Sequence, residues 1–302
     1  MKSKIKRAGQ AALLTAALAA RANAADTSAA ESWLDNTISP VGNPIYFEDP
    51  KMTSEVRPIY MYHFLPDTFH FSSGKVPLGG QVQVMALQLR YAVSDRLGII
   101  ASKDGYIQFQ PKHTLAHQYG WADLAAGLKY AVIKSEEHQF ILTPGFTLTV
   151  PTGSRDVYQG EGSGIWNLFA SAEKGFDDLH VTVNTGFLIP NNFSENTAQL
   201  HYSAQVDYYV CQYFIPFAVA NGYTILSNGN RNELPVPLDT EGYDLINFGS
   251  TDAQGTTQFT IGGGARSRIV KNVDVGVAYE FGVGNSIGIF QSRLTADLIW
   301  RF

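Results

Sequence analysis

Fourteen ionisable side chains fall on one phase of segments whose residues alternate between apolar and polar. The basic set is Arg57, Arg90, Lys129, Arg266, Arg268, Arg293 and Arg301. The acidic set is Asp104, Asp123, Glu173, Asp207, Asp274, Glu280 and Asp297. Equal numbers of opposite charges suit the wall of a wet lumen, because a charge on a lipid-facing wall costs ~2–4 kcal/mol at mid-membrane. Such a wall works in one of two ways. Cross-strand ion pairs fill and stiffen a narrow barrel, or the charges line a polar conduit with a weak solute site. Arg266 and Arg268 stand two residues apart on one strand, and Asp274 and Glu280 lie on the next. A short turn between these strands gives both arginines acidic partners.

Other residue sets of chemical interest are incomplete. There is no G-x-S-x-G elbow. His113 and His117 are four apart but lack the glutamate of H-E-x-x-H. His180 and His201 have Ser163, Ser171 and Ser203 within reach of their strands, yet no spacing singles out a triad. Gly160–Gly164 is too loose for a phosphate cradle. The lone Cys211 makes neither an internal disulfide nor a cysteine-based zinc site. The expectation is therefore no catalytic residue, no metal and no cofactor, and a lipid-modifying enzyme is the least favoured alternative.

Strands must position the charges. Phe290, Ser292, Leu294, Ala296, Leu298, Trp300 and Phe302 share one face of the last segment, and Arg293, Thr295, Asp297 and Arg301 share the other. Twelve such runs are read, near 55–64, 81–92, 97–109, 121–133, 138–150, 163–174, 178–189, 199–210, 212–224, 255–268, 272–282 and 289–302. Short turns at 93–98, 134–137, 175–178 and 270–272 alternate with long connections at 65–80, 110–120, 151–162, 190–198 and 225–254. Runs of ten to fourteen residues exceed the ~5–6 of soluble strands. Long runs and alternating loops predict an all-β, antiparallel up-and-down transmembrane barrel of about twelve strands (range ten to fourteen). Closure is obligatory, because an open edge would leave backbone groups unpaired in hydrocarbon. Tyr91, Tyr130, Tyr208, Tyr279 and Trp300 fit an aromatic girdle.

The chain has 302 residues, 45% hydrophobic and 16% charged, with 28 Gly, 15 Tyr, 18 Phe and 4 Trp. Its mean hydropathy is −0.08. Beyond the first 25 residues no apolar stretch approaches the ~20 residues a membrane helix needs. That excludes a helical membrane bundle, and the hydrophobic content argues against disorder. Residues 1–24 read as a signal peptide: a basic start, the apolar run Ala11–Ala20, and Ala22-Asn23-Ala24 as the cleavage site. Cleavage removes five basic residues and takes the formal charge from −5 to −10. An acidic exported chain is a poor ligand for nucleic acid. Residues 25–54 read as a periplasmic tail or a plug within the barrel at 55–302. Loop 225–254 carries Glu233, Asp239, Glu241, Asp244 and Asp252, without the spacing of a calcium loop. It folds inward as a constriction or spreads outward as an acidic cap near lipopolysaccharide.

The terminal Leu294-Thr295-Ala296-Asp297-Leu298-Ile299-Trp300-Arg301-Phe302 resembles the last strand of bacterial outer-membrane proteins. That resemblance implies residence in the Gram-negative outer membrane after export. It also implies reading of Trp300 and Phe302 by the barrel-assembly machinery. Leu89–Gly98 and its echo at Lys271–Gly276 resemble a strand-turn-strand element of outer-membrane transporters grouped with the MetA pathway of phenol degradation. This implies a porin-like channel or transporter that passes or binds a small solute, aromatic or amphipathic. A structural or adhesive barrel is the competing reading.

Overall fold

The computed structural model describes residues 32–231, 237–284 and 288–302. The proposed signal peptide and Glu233 lie outside them. Twelve antiparallel strands close into a barrel. They are β1 (Glu55–Phe64), β2 (Gly80–Ala92), β3 (Leu97–Lys103 continued by Tyr106–Pro111), β4 (Gln118–Trp121 continued by Leu124–Tyr130), β5 (Phe140–Val150) and β6 (Ile165–Phe176). Then follow β7 (Leu179–Pro190), β8 (Ala198–Tyr208), β9 (Ile215–Ser227), β10 (Thr257–Val270), β11 (Val273–Val283) and β12 (Ser292–Arg301). Closure is made by β1, which pairs with β2 (Val56 opposite Leu89) and with β12 (Val56 opposite Trp300).

The period-two pattern produces two different faces. On β1 the residues Glu55, Arg57, Ile59, Met61 and His63 are buried, and Pro58, Tyr60 and Phe64 are exposed. Leu87, Leu89, Leu128, Leu168, Val183, Val206, Val277, Leu294 and Leu298 continue the outer apolar face around the barrel. In a soluble sandwich such a belt would be an aggregation surface, whereas around a closed barrel it is the surface that meets lipid. Tyr91, Tyr130, Tyr208 and Trp300 stand exposed at the end of the barrel that carries both termini of the sheet, and Tyr279 sits further along toward the long-loop end.

Two runs read as continuous are each broken once, and β4 starts three residues earlier than expected. The break in β3 falls at Asp104-Gly105. Gly105 has φ +120°, and a Cβ there would stand 2.6 Å from the Met85 carbonyl oxygen. Asp104 is therefore a cap rather than part of the inner wall: its Oδ1 accepts the Leu87 N–H at 2.8 Å, which the broken ladder leaves unpaired. The break in β4 falls at Ala122-Asp123, and the Ala122 N–H donates to the Gly105 carbonyl at 2.8 Å. The two breaks thus sit side by side in the wall.

The first long loop forms a small hairpin, Thr68–Phe71 with Gly74–Pro77. The described part of the longest loop folds inward, which overturns the outward acidic cap for those residues. Leu238, Leu245, Ile246 and Phe248 pack against Ile59, Met61, Val82, Val84, Ile107 and Phe109, the inner faces of β1, β2 and β3. Near the long-loop end the inner faces of these three strands are apolar because they meet this loop, whereas the outer faces of β2 and β3 there carry Gln81, Gln83, Gln108 and Gln110.

Candidate functional site: the occupied lumen

Two segments fill the barrel. One is the inward loop, and the other is the stretch Thr37–Lys51 ahead of β1, nearly all of it buried. Ile38, Val41 and Phe47 pack on Ile215, Phe217, Val219 and Ala278 of the inner wall. Prolines at 40, 44 and 50 keep this stretch out of regular structure, so its backbone groups need partners from the wall. Arg57 donates to the Pro40 carbonyl. Gln88 donates to the Pro44 carbonyl at 2.6 Å, Ser171 to that of Glu48 at 2.7 Å, Lys129 to that of Asp49 at 2.6 Å and Thr143 to that of Pro50 at 2.7 Å.

The wall charges meet these inserts as much as one another. Arg90 grips the Glu48 carboxylate with two hydrogen bonds, Nε at 2.8 Å and Nη2 at 2.7 Å, and lies 3.3 Å from Glu55. Lys129 bonds the same Glu48 at 2.8 Å. Arg293 donates to both oxygens of Asp244 in the long loop at 2.8 Å, and to Glu280 at 3.2 Å. Glu280 also accepts from Asn221 at 2.7 Å. Glu241, next to the loop's latch, accepts from Thr197 Oγ1 at 3.0 Å and from the N–H groups of Phe248 at 2.6 Å and Ser250 at 2.9 Å. Burial pushes its carboxyl above the usual range, and those donors oppose the shift.

Within the wall, Asp297 accepts from Arg57 Nε at 2.7 Å and from Arg266 Nη2 at 2.9 Å. Asp274 sits 2.8 Å from Arg301 and 3.5 Å from Arg268. Of the two arginines expected to find acidic partners on the next strand, Arg268 does, in its register partner Asp274. Arg266 takes neither Asp274 nor Glu280. Arg266 faces Gly276 across the ladder, and Gly276 in turn faces Asp297. A Cβ on Gly276 would lie 2.7 Å from Asp297 Oδ1 and 3.0 Å from Arg266 Cζ. The glycine opens the gap through which the guanidinium crosses one strand, and Glu280 is left to Arg293.

The remaining candidates are dispersed. Asp123 sits in the β4 break and accepts the N–H groups of Gly153 at 2.9 Å and Gly160 at 2.8 Å, so it fixes a loop. Asp207 bonds His180 Nδ1 at 2.9 Å. Glu173 is 1% exposed, and neither carboxylate oxygen has a hydrogen-bond partner among the described residues. Trp300 and Phe302 are exposed at the terminal end.

The histidine–serine sets do not assemble a nucleophile. Ser171 bonds Glu48, Ser163 bonds Glu195 at 2.7 Å, and Ser203 accepts from Asn43 at 3.1 Å. His201 bonds Asn167 at 2.8 Å and stacks on Tyr46. Residues that sequence reasoning missed are Tyr46, Glu48 and Asp49 as lumen groups and Asp244 as a latch. The clue was Glu48-Asp49-Pro50-Lys51, a charged knot in a segment otherwise almost free of charge.

No family model and no curated protein matches this chain. Among solved structures it is similar to an outer membrane channel from Pseudomonas putida F1, with a TM-score of 0.52 and 16% identity over 88% of this chain and all of that one. It also aligns with the NanC porin (TM-score 0.49, 9% identity, 82% of this chain and all of that one). The KdgM porin aligns with a TM-score of 0.45 and 14% identity, over 82% and 99% of the two chains. The first likeness identifies the fold as that of an outer-membrane barrel.

Proposed function

We propose that this chain resides in the bacterial outer membrane as a channel for a small solute, and that its described state is closed by the two inserts. The observation that carries this reading is how the inserts are held. Both lie inside a complete barrel, joined to it by apolar packing, side-chain hydrogen bonds and ion pairs rather than by strand pairing. The polar contacts exchange for water contacts when an insert moves, and no wall strand depends on the insert for its ladder, so the wall survives the insert's departure. Twelve strands enclose a lumen between the filled eight-stranded barrels and the aqueous sixteen-stranded porins. In this reading Arg57, Arg90, Lys129, Glu173, Asp207, Arg266, Arg268, Asp274, Glu280, Arg293 and Asp297 line the emptied lumen. Residues 37–51 are the plug. Lipopolysaccharide surrounds the long-loop end, and the assembly machinery reads Trp300 and Phe302.

Planar-bilayer conductance tests the proposal. The full chain is expected to open rarely, and a variant lacking 33–51 and 238–250 to conduct steadily. A folded but silent double-deletion barrel would overturn the channel reading in favour of a structural barrel.

A further inference from the structure

At the long-loop end the loops enclose an apolar cavity of about 180 Å³. Phe69 and Leu78 come from the first loop, Phe109 from the end of β3, Tyr158 from the third loop, Phe248 from the longest loop and Ile289 from the last. Its lining is almost wholly carbon. An apolar cavity near 150 Å³ stays dry and takes up a single benzene ring. Three rings are already set edge-on around one wall: Tyr158 stands 5.4 Å from Phe109 at 80° and 5.7 Å from Phe248 at 75°. That geometry offers ring edges and faces to an aromatic guest.

The backbone adds an independent observation. Two of the non-glycine residues with positive φ line this one cavity, Thr114 at +66° and Tyr158 at +58°. Thr114 is β-branched, so its conformation is a genuine outlier. It is pinned by its hydroxyl, which donates to the Pro77 carbonyl. Strained residues of this kind gather at ligand clamps and switches. Tyr158 also borders a second, polar recess that holds Tyr46, Lys103 and Asp123. Tyr158 is thus shared by an apolar recess and a polar one.

We infer that the outer cavity is a binding site for a neutral single-ring solute and that Tyr158 is the gate between it and the lumen. This deepens the channel reading and rests on it for its direction of passage, while the binding itself does not. A solute enters by displacing nothing but space and is held by dispersion and ring contacts. It moves inward only when the Tyr158 ring swings aside.

The test is ¹⁹F NMR of fluorobenzene and 1-fluoronaphthalene with the detergent-solubilised full chain, against empty micelles. Fluorobenzene is expected to show a saturable shift, with the two-ring probe at least ten-fold weaker. Val76→Trp, which fills the partly exposed side of the cavity, is expected to abolish saturation, and Leu87→Trp on the lipid face to preserve it. Tyr158→Gly keeps the backbone angle allowed and is expected to narrow the difference between probes. A purely linear response equal to empty micelles, or saturation that survives Val76→Trp, overturns the site. Unchanged discrimination in Tyr158→Gly overturns the gate. Saturable binding by a chain whose double-deletion barrel never conducts would keep the site and sink the channel.

Discussion

Replacing Arg293 by methionine should release the long loop. The arginine's side chain is 2% exposed and neutralises Asp244 and Glu280, each 1% exposed. Its guanidinium also sits 5.1 Å over the Phe290 ring. Methionine preserves much of the apolar stem but leaves two buried carboxylates without their cation. Removing one partner of a buried pair costs about 3–5 kcal/mol. Glu280 is fixed in the wall and cannot escape. Asp244 can, because it rides on the loop and reaches water when the loop lifts. Most of that cost therefore falls on the closed loop. At 1.4 kcal/mol per decade the closed-to-open ratio should drop by about two to three and a half orders of magnitude. Hydrogen–deuterium exchange reads this directly. The amides of Gly242, Leu245, Ile246, Phe248 and Ser250 all donate within the closed loop. They should exchange faster in the variant, while the β6–β7 amides stay protected. Adding Asp244→Asn should restore part of the protection, since a neutral amide has less to gain from water. Wild-type exchange in Arg293→Met, or equal opening with and without Asp244→Asn, would refute the electrostatic latch.

Glu48→Gln should loosen the plug by stripping Arg90 and Lys129 of a shared anion, and trypsin should then cut after Lys51, which is buried in the parent. Arg266→Glu should place a second carboxylate against Asp297 and cost more than ~3 kcal/mol; loss of the folded band on heat-modifiability gels checks it, with Arg266→Gln expected to remain folded. Gly276→Ala should force apart Arg266, Asp297 and Val41, all within 3.0 Å of the new Cβ, and lower stability by about 1–3 kcal/mol in urea unfolding. Deleting Trp300–Phe302 should slow insertion by the assembly machinery in reconstituted liposomes; unchanged kinetics would remove the proposed signal.

Strand number, strand ends to within a few residues and the lipid-facing side of β12 from Leu294 onward were legible in the chain, because a period of two converts directly into two faces once closure is required; Phe290, read onto the same side, is instead buried beneath the Arg293 guanidinium. That acidic residues on the next strand stand within reach of Arg268 was legible for the same reason, whereas its pairing with Asp274 was set by the register across the short turn. The breaks at Asp104-Gly105 and Ala122-Asp123 were less so. The consecutive Lys103 and Asp104 violated the alternation, yet nothing local said that Asp104 would cap Leu87.

What the sequence determined by itself was a closed barrel with an apolar outside and a charged inside. The pattern of alternate residues is local, and the bilayer admits one way to satisfy it. Only the tertiary structure decided what the inner charges face. Glu48 lies 42 residues from Arg90 and 81 from Lys129, and Asp244 lies 49 from Arg293. No periodicity spans such separations. A wall that balanced on paper at seven against seven is in fact completed by carboxylates from the plug and the loop, and the pairing partners were set by which irregular segments fit the space the strands enclose.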